Sequence, residues 1–196
     1  MGQVESLRTE NKFKKTEIGE IPVDWEVKAL KEVLSLNYGD GLPEGKRKGD
    51  KYPVFGSNGI IGYHDSFIVK GPGIIIGRKG TVGSITWSTE DYWPIDTTYY
   101  VVPCIGEIDL KWLYYILKIL KLYQLNAATG IPGLNRNVAL NIKIPLPPLH
   151  EQKKIAEALT SVDEEIENEM AHKERLEGIK KGLMQVLLTG KIRAKI

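Results

Sequence analysis

Arg78 and Lys79 lie in the run Gly77-Arg78-Lys79-Gly80-Thr81-Val82-Gly83, on a loop whose glycines let a ligand come close to the backbone. Arg is the best side-chain reader of the guanine edge, so Gly77, Arg78, Lys79, Gly80 and Thr81 form a candidate base-reading loop. The run Thr129-Gly130-Ile131-Pro132-Gly133-Leu134-Asn135-Arg136 mixes the same residue types, and Thr129, Asn135 and Arg136 are candidates with it. Lys46, Arg47 and Lys48, with Lys51 just beyond, make a basic loop that either grips phosphates or is a solvated charge run. Ser57 and Asn58 precede Gly59 and also have two readings. Asn pairs bidentately with adenine, and Asn-Gly is an ordinary hairpin turn. Taken alone, these loops describe binding to something anionic.

Catalytic motifs are weaker. Gly71-Pro72-Gly73 precedes Ile74-Ile75-Ile76, but a dinucleotide-binding loop opens into a helix, and these glycines open into a β-like run. Glu44-Gly45-Lys46 matches the Glu-x-Lys element of many nucleases, yet it sits in a Gly-rich loop instead of on a strand. His64, His150 and His172 are too scattered for a metal site or a base–nucleophile pair. No cofactor loop accompanies an Asn-Pro-Pro-aromatic element, which argues against methyl transfer by this chain.

The elements that must position the loops follow from composition. The 196 residues leave room for one globular domain and an extended element, and 42% of them are hydrophobic, enough for a substantial core. A net charge of +2 argues against coating nucleic acid by bulk charge, though a local basic face stays open. The single cysteine, Cys104, excludes an internal disulfide and a cysteine-based zinc site, and fits a reducing compartment. With no signal core and no apolar stretch of membrane-spanning length, the chain is expected to be soluble and cytoplasmic.

Grammar changes at Pro145-Leu146-Pro147-Pro148, a stiff connector. Before it, short strands are expected at Tyr52–Phe55, Ile60–Tyr63, Phe67–Val69, Ile74–Ile76, Ser84–Thr86 and Thr97–Val102, after an apolar-patterned segment from Trp25 to Leu36. Asp109 is the expected N-cap of a helix through Tyr123, with Trp112, Leu113, Ile116, Ile119, Leu120 and Tyr123 on its apolar face. After the connector, helical periodicity is continuous from Leu149 to Leu188, roughly 60 Å at 1.5 Å per residue. Ile155, Leu159, Val162 and Ile166 form one stripe, and a stutter through Met170 carries it on to Leu176, Ile179 and Leu183. Exposing such a stripe forgoes about 1.5–3 kcal/mol per side chain, so it calls for a partner helix, from a second copy or from back-folding onto the chain's own domain. Gly178 and Gly182 suit close approach of another backbone. The expected architecture is α+β: a polar arm (1–16), a mixed domain with a glycine-punctuated β-rich core (17–148) and a long C-terminal helix (149–196) in an antiparallel coiled coil.

The join between the halves carries a resemblance. Thr129-Gly130-Ile131-Pro132 through Leu134-Asn135-Arg136, then Ile142-Lys143-Ile144-Pro145-Leu146-Pro147-Pro148-Leu149, Glu151-Gln152 and Ile155-Ala156, closely resemble specificity subunits of type I restriction-modification systems. So do Ile18-Gly19-Glu20-Ile21-Pro22 with Asp24-Trp25, and Leu187-Leu188-Thr189-Gly190-Lys191-Ile192-Arg193. The resemblance implies a target-recognition domain that reads one half of a split site in double-stranded DNA. A full subunit of that family holds two such domains and two antiparallel helices. The single domain and helix of this chain therefore imply a half subunit that dimerises, or a shortened gene. By the same resemblance this chain is non-catalytic and holds no cofactor. S-adenosylmethionine would sit on a modification subunit that methylates adenine, and ATP on a restriction subunit that cleaves DNA. It supports the 77–81 loop as a recognition element and leaves Thr129, Asn135 and Arg136 in a connector with either a structural or a DNA-contacting role. Lys46, Arg47 and Lys48 rest on charge alone. The competing reading is a coiled-coil protein that occupies the modification subunit without reading DNA.

Overall fold

In the computed structural model, which describes residues 12–125 and 133–193, the chain enters through a hairpin of β1 (Phe13–Thr16) and β2 (Gly19–Pro22). The end of the expected polar arm is thus a strand, its turn closed by the Thr16 hydroxyl donating to the Gly19 carbonyl at 2.7 Å. The Trp25–Leu36 segment divides into β3 (Glu26–Ala29), a single turn α1 (Leu30–Val33) and β4 (Leu34–Tyr38). Next come β5 (Tyr52–Gly56), β6 (Gly59–His64), β7 (Gly73–Gly77), β8 (Ile85–Ser88), β9 (Trp93–Pro94) and β10 (Thr98–Pro103). Then follow α2 (Leu110–Ile119), α3 (Arg136–Leu140), β11 (Lys143–Leu146) and α4 (Leu149–Leu187).

The main sheet is antiparallel in the order β4-β10-β7-β8. Every residue of β7 is buried, as a continuous apolar run requires when both faces of a strand are covered. Side chains alternate, so Ile75 faces Phe55 of the β6-β5-β9 sheet and Tyr92 just before β9, while Ile74 and Ile76 turn to the opposite face, where α2 packs on β7 and β8. β11 pairs with β3 in a separate two-stranded ladder.

Three expectations are corrected. Phe67–Val69 is not a strand: Val69 alone bridges Tyr92, and Phe67 and Ile68 are exposed. The α2 helix stops at Ile119, because Lys121 takes a left-handed backbone (φ 49°) that no helix can continue through. Its buried face is therefore Trp112, Leu113, Ile116 and Leu117, while Ile119 is 69% and Tyr123 57% exposed. The Asp109 cap forms as expected, its carboxylate accepting from Trp112 N at 2.8 Å.

Glu151 and Gln152 tie the connector together. The Gln152 side chain is buried; its carbonyl accepts from Asp109 N at 2.9 Å and its amide donates to the Pro147 carbonyl at 2.9 Å. A Glu151 carboxylate oxygen accepts from Trp25 Nε1 at 2.8 Å. The chain separates into two compact units, Met1–Lys153 and Lys154–Ile196. The second is the greater part of α4, 39 residues or about 58 Å long in all. It closes at Gly190, whose φ of 72° lets Gly190 N reach Leu187 O and Ile192 N reach Val186 O. Among the described residues no helix is long and apolar enough to cross a membrane.

A candidate nucleic-acid interface

The loop after β7 is held by backbone chemistry. Thr97 O accepts from Arg78 N at 2.9 Å, from Lys79 N at 3.1 Å and from the Ser57 hydroxyl at 2.7 Å. One carbonyl thereby joins the β5–β6 turn to the Arg78 loop, and Ser84 Oγ adds a second tie by donating to Ser57 O. Gly77 is required here, since a Cβ would collide with Thr81 O. Asn58 is exposed at the turn, and Lys79, Gly80 and Thr81 are exposed at the loop tip.

The second glycine-rich run docks on the first. Leu134 N donates to Arg78 O at 2.9 Å, and Lys79 forms an isolated bridge with Gly133. Asn135 then caps α3, its side-chain oxygen accepting from Asn137 N at 3.0 Å and Val138 N at 3.2 Å. Its side-chain oxygen therefore serves the fold, and Arg136, the first residue of α3, is exposed. Thr129 lies outside the described residues.

Tyr38, at the end of β4, gathers the cations. Arg78 Cζ stands 5.1 Å and Arg136 Cζ 5.4 Å from its ring centroid. Arg78 also lies 5.9 Å from the centre of Tyr99, which packs on Tyr38 at 5.1 Å. Its Nε and Nη2 both donate to Asp96 O, at 3.1 and 2.6 Å. Burial, then the neighbouring Tyr38, pushes the Tyr99 phenol up to about 12, against the opposing pull of Arg78 and Arg136. Its hydroxyl donates to Leu134 O at 3.1 Å. Sequence reading missed Tyr38, Asp96, Thr97 and Tyr99. The available signal was an aromatic residue closing an alternating strand beside a Gly-Asp pair.

The basic loop is fixed elsewhere. Arg47 Nη1 donates to Ile61 O at 2.9 Å and Nε to Leu42 O at 3.2 Å, while Lys48 N donates to His64 Nδ1 at 3.1 Å. Arg47 therefore clasps β6, and Lys46 and Lys48 are exposed beside that strand, not on the Arg78 loop. On α4, Leu159, Val162, Ile166, Met170, Leu176, Ile179 and Leu183 are each 41–59% exposed, and Ile155 is half-buried. A Cβ at Gly178 or Gly182 would meet open space.

The β-rich domain presents an arginine–tyrosine cluster, and the long helix that follows carries an exposed apolar stripe. Residues 22–178 match the type I restriction modification DNA specificity domain, and the chain belongs to that family. It is 35% identical to the specificity subunit of the type I restriction enzyme MjaVIII of Methanocaldococcus jannaschii, across 93% of this chain and 50% of that protein. Against the EcoDI specificity subunit of Escherichia coli the figures are 26%, 87% and 38%. The chain thus spans about half the length of the curated relatives it matches. The fold is similar to that of the S subunit from M. genitalium (21% identity, TM-score 0.67, covering 90% of this chain and 48% of that one). It is also similar to the HsdS subunit from Thermoanaerobacter tengcongensis (20% identity, TM-score 0.63, 94% and 48%).

Proposed function

We propose that this chain reads DNA sequence for a type I restriction-modification system, as a half subunit that pairs with a second copy. The observation that carries the reading is the convergence of two sequence-remote loops, 77–81 and 133–136, on Tyr38. Guanidinium groups oriented by an aromatic face and a carbonyl lose little freedom on binding. Asp96 O engages one N–H each from Nε and Nη2, which leaves three of the five Arg78 donors, enough for a bidentate contact with guanine O6 and N7. Arg136, Lys79 and Asn58 surround it for phosphates and neighbouring bases, and Lys46 and Lys48 extend the grip on phosphate.

The exposed stripe of α4 supports pairing with the helix of a second copy. Adenine methylation and cleavage then belong to modification and restriction subunits, which bind S-adenosylmethionine and ATP, and this chain chooses where they act. Expressing it with its cognate modification subunit and sequencing the methylome tests the reading. A methylated motif that changes with Arg78 is expected. Methylation that ignores the Arg78 and Arg136 loops would favour a coiled-coil partner that binds the modification subunit without reading DNA.

A further inference from the structure

The side of α2 that carries Lys111, Tyr114, Tyr115 and Lys118 takes no part in the Tyr38 cluster. Steps of three, four and seven residues place these four on one helix face, and Trp87 of β8 completes the group. Lys111 Nζ stands 4.4 Å from the Trp87 ring centroid, 5.1 Å from Tyr114 and 5.8 Å from Tyr115, and Lys118 Nζ stands 5.0 Å from Tyr114. The rings pack on each other, Trp87 to Tyr114 at 5.7 Å and Tyr114 to Tyr115 at 5.3 Å. Neither α2 nor β8 contains an Asp or Glu. Among the described residues neither lysine joins an ion pair. Each ammonium is therefore steadied by rings and keeps donors for an acceptor on its open side.

The face also leads to the Arg78 loop. The left-handed Lys121 turns the chain after α2, buries Leu122, and lays the Leu122–Tyr123 backbone against Gly83, where a Cβ would collide with Tyr123 N. The C-terminal end of α2 thus adjoins the last glycine of the loop, with Lys118 nearer to it along the helix and Lys111 farther. Seven residues of helix separate the two lysines by about 10.5 Å, or about three base steps of duplex at 3.4 Å.

We propose that this face is a phosphate track, on which Lys111 and Lys118 hold the DNA backbone beyond the base pairs that the Arg78 loop reads. The inference rests on the DNA-reading function proposed above. Two lysines without an ion pair among the described residues, on a helix whose end adjoins the base-reading loop, fit a polyanion that passes over both.

The test uses the full chain assembled with its modification subunit, binding a target duplex and a scrambled duplex across a salt series. Lys111→Ala/Lys118→Ala is expected to weaken both duplexes alike, by at least about tenfold near 0.1 M salt, and to make the slope of log K against log salt shallower by about 1.8. Lys118→Ala alone, at an exposed position, should give half the slope change, and Lys111→Arg/Lys118→Arg should restore it. An unchanged slope with target preference intact overturns the track and leaves the DNA-reading function standing. Weakened assembly with the modification subunit at an unchanged slope also overturns it, and assigns the face to a protein partner. A wild-type complex without target preference would remove the DNA-reading function itself, and the track with it.

Discussion

The Arg78 guanidinium gains from Tyr38 and Asp96 what a free surface arginine lacks, a fixed direction. Arg78→Ala should therefore lower binding to the target by about 1–3 kcal/mol more than binding to random duplex, measured by competition in the assembled methyltransferase. Lys46→Ala and Lys48→Ala should weaken both duplexes equally, and equal losses for Arg78→Ala would move it to that phosphate-gripping class. Tyr99 gives a pH signature. Burial also pushes the Tyr92 phenol above its ordinary value of 10, and its hydroxyl is buried without a hydrogen-bond partner among the described residues. In the unfolded chain these phenols lose their protons near pH 10, whereas folded Tyr99 keeps its proton to about 12. The folded state then binds more protons, so stability is complete below pH 10 and falls as pH rises towards 12. Urea unfolding should show Tyr99→Phe less stable by about 1 kcal/mol near neutral pH, from the lost bond to Leu134 O, but with a shallower alkaline decline. An equally steep decline in the variant would assign the titration to another group. That Arg78 matters was legible in its glycine-flanked setting. That Arg136 shares its tyrosine was not, because no local pattern encodes which distant loops a sheet brings together.

At the scale of elements, local rules read well wherever one segment decides its own state. The Asp109 cap, the β-character of Ile74–Ile76 and the unbroken helix after the proline cluster are such cases. They read poorly where a neighbour decides. Ile119 and Tyr123 continue the helical period of α2, but Lys121 diverts the backbone to dock on Gly83. The run around Asn135 allows either a structural or a DNA-contacting role, and its side-chain oxygen accepts from two N–H groups of α3. Asn135→Ala should cost about 0.5–2 kcal/mol in thermal or urea unfolding, with Asn135→Asp largely neutral as an alternative cap. Equal losses for both variants would show that the amide nitrogen makes a contact of its own. For α4, burial of the stripe between two copies predicts a dimer. Sedimentation at tens of micromolar, an order-of-magnitude concentration for a moderate interface, should show wild type as a dimer and Val162→Glu/Ile166→Glu as a monomer. A wild-type monomer there would end the pairing proposal.

On the scale of the whole molecule, the proposed pairing of two copies has a consequence for the target's symmetry. The chain spans about half the length of the specificity subunits it matches. If two copies pair through antiparallel helices, a twofold axis would relate them and repeat the same loops, so the target should be two identical half-sites in inverted orientation. In such a pair the helix would act as a ruler, since about 58 Å matches at most about 17 base pairs at 3.4 Å each, and overlap or tilt would shorten the spacer. A heptad preserves the seam of a helical pair, so seven residues inserted after Met170 should move the ends apart by about 10.5 Å without disturbing the stripe. The methylome of the reconstituted system should then show unchanged half-sites and a spacer longer by about three base pairs. If three extra pairs rotate the half-sites out of reach around the duplex, methylation is lost while the dimer persists in sedimentation. A retained spacer with full activity would mean that α4 does not set the distance, and an asymmetric bipartite motif from this chain alone would mean that the two copies are not related by a twofold axis.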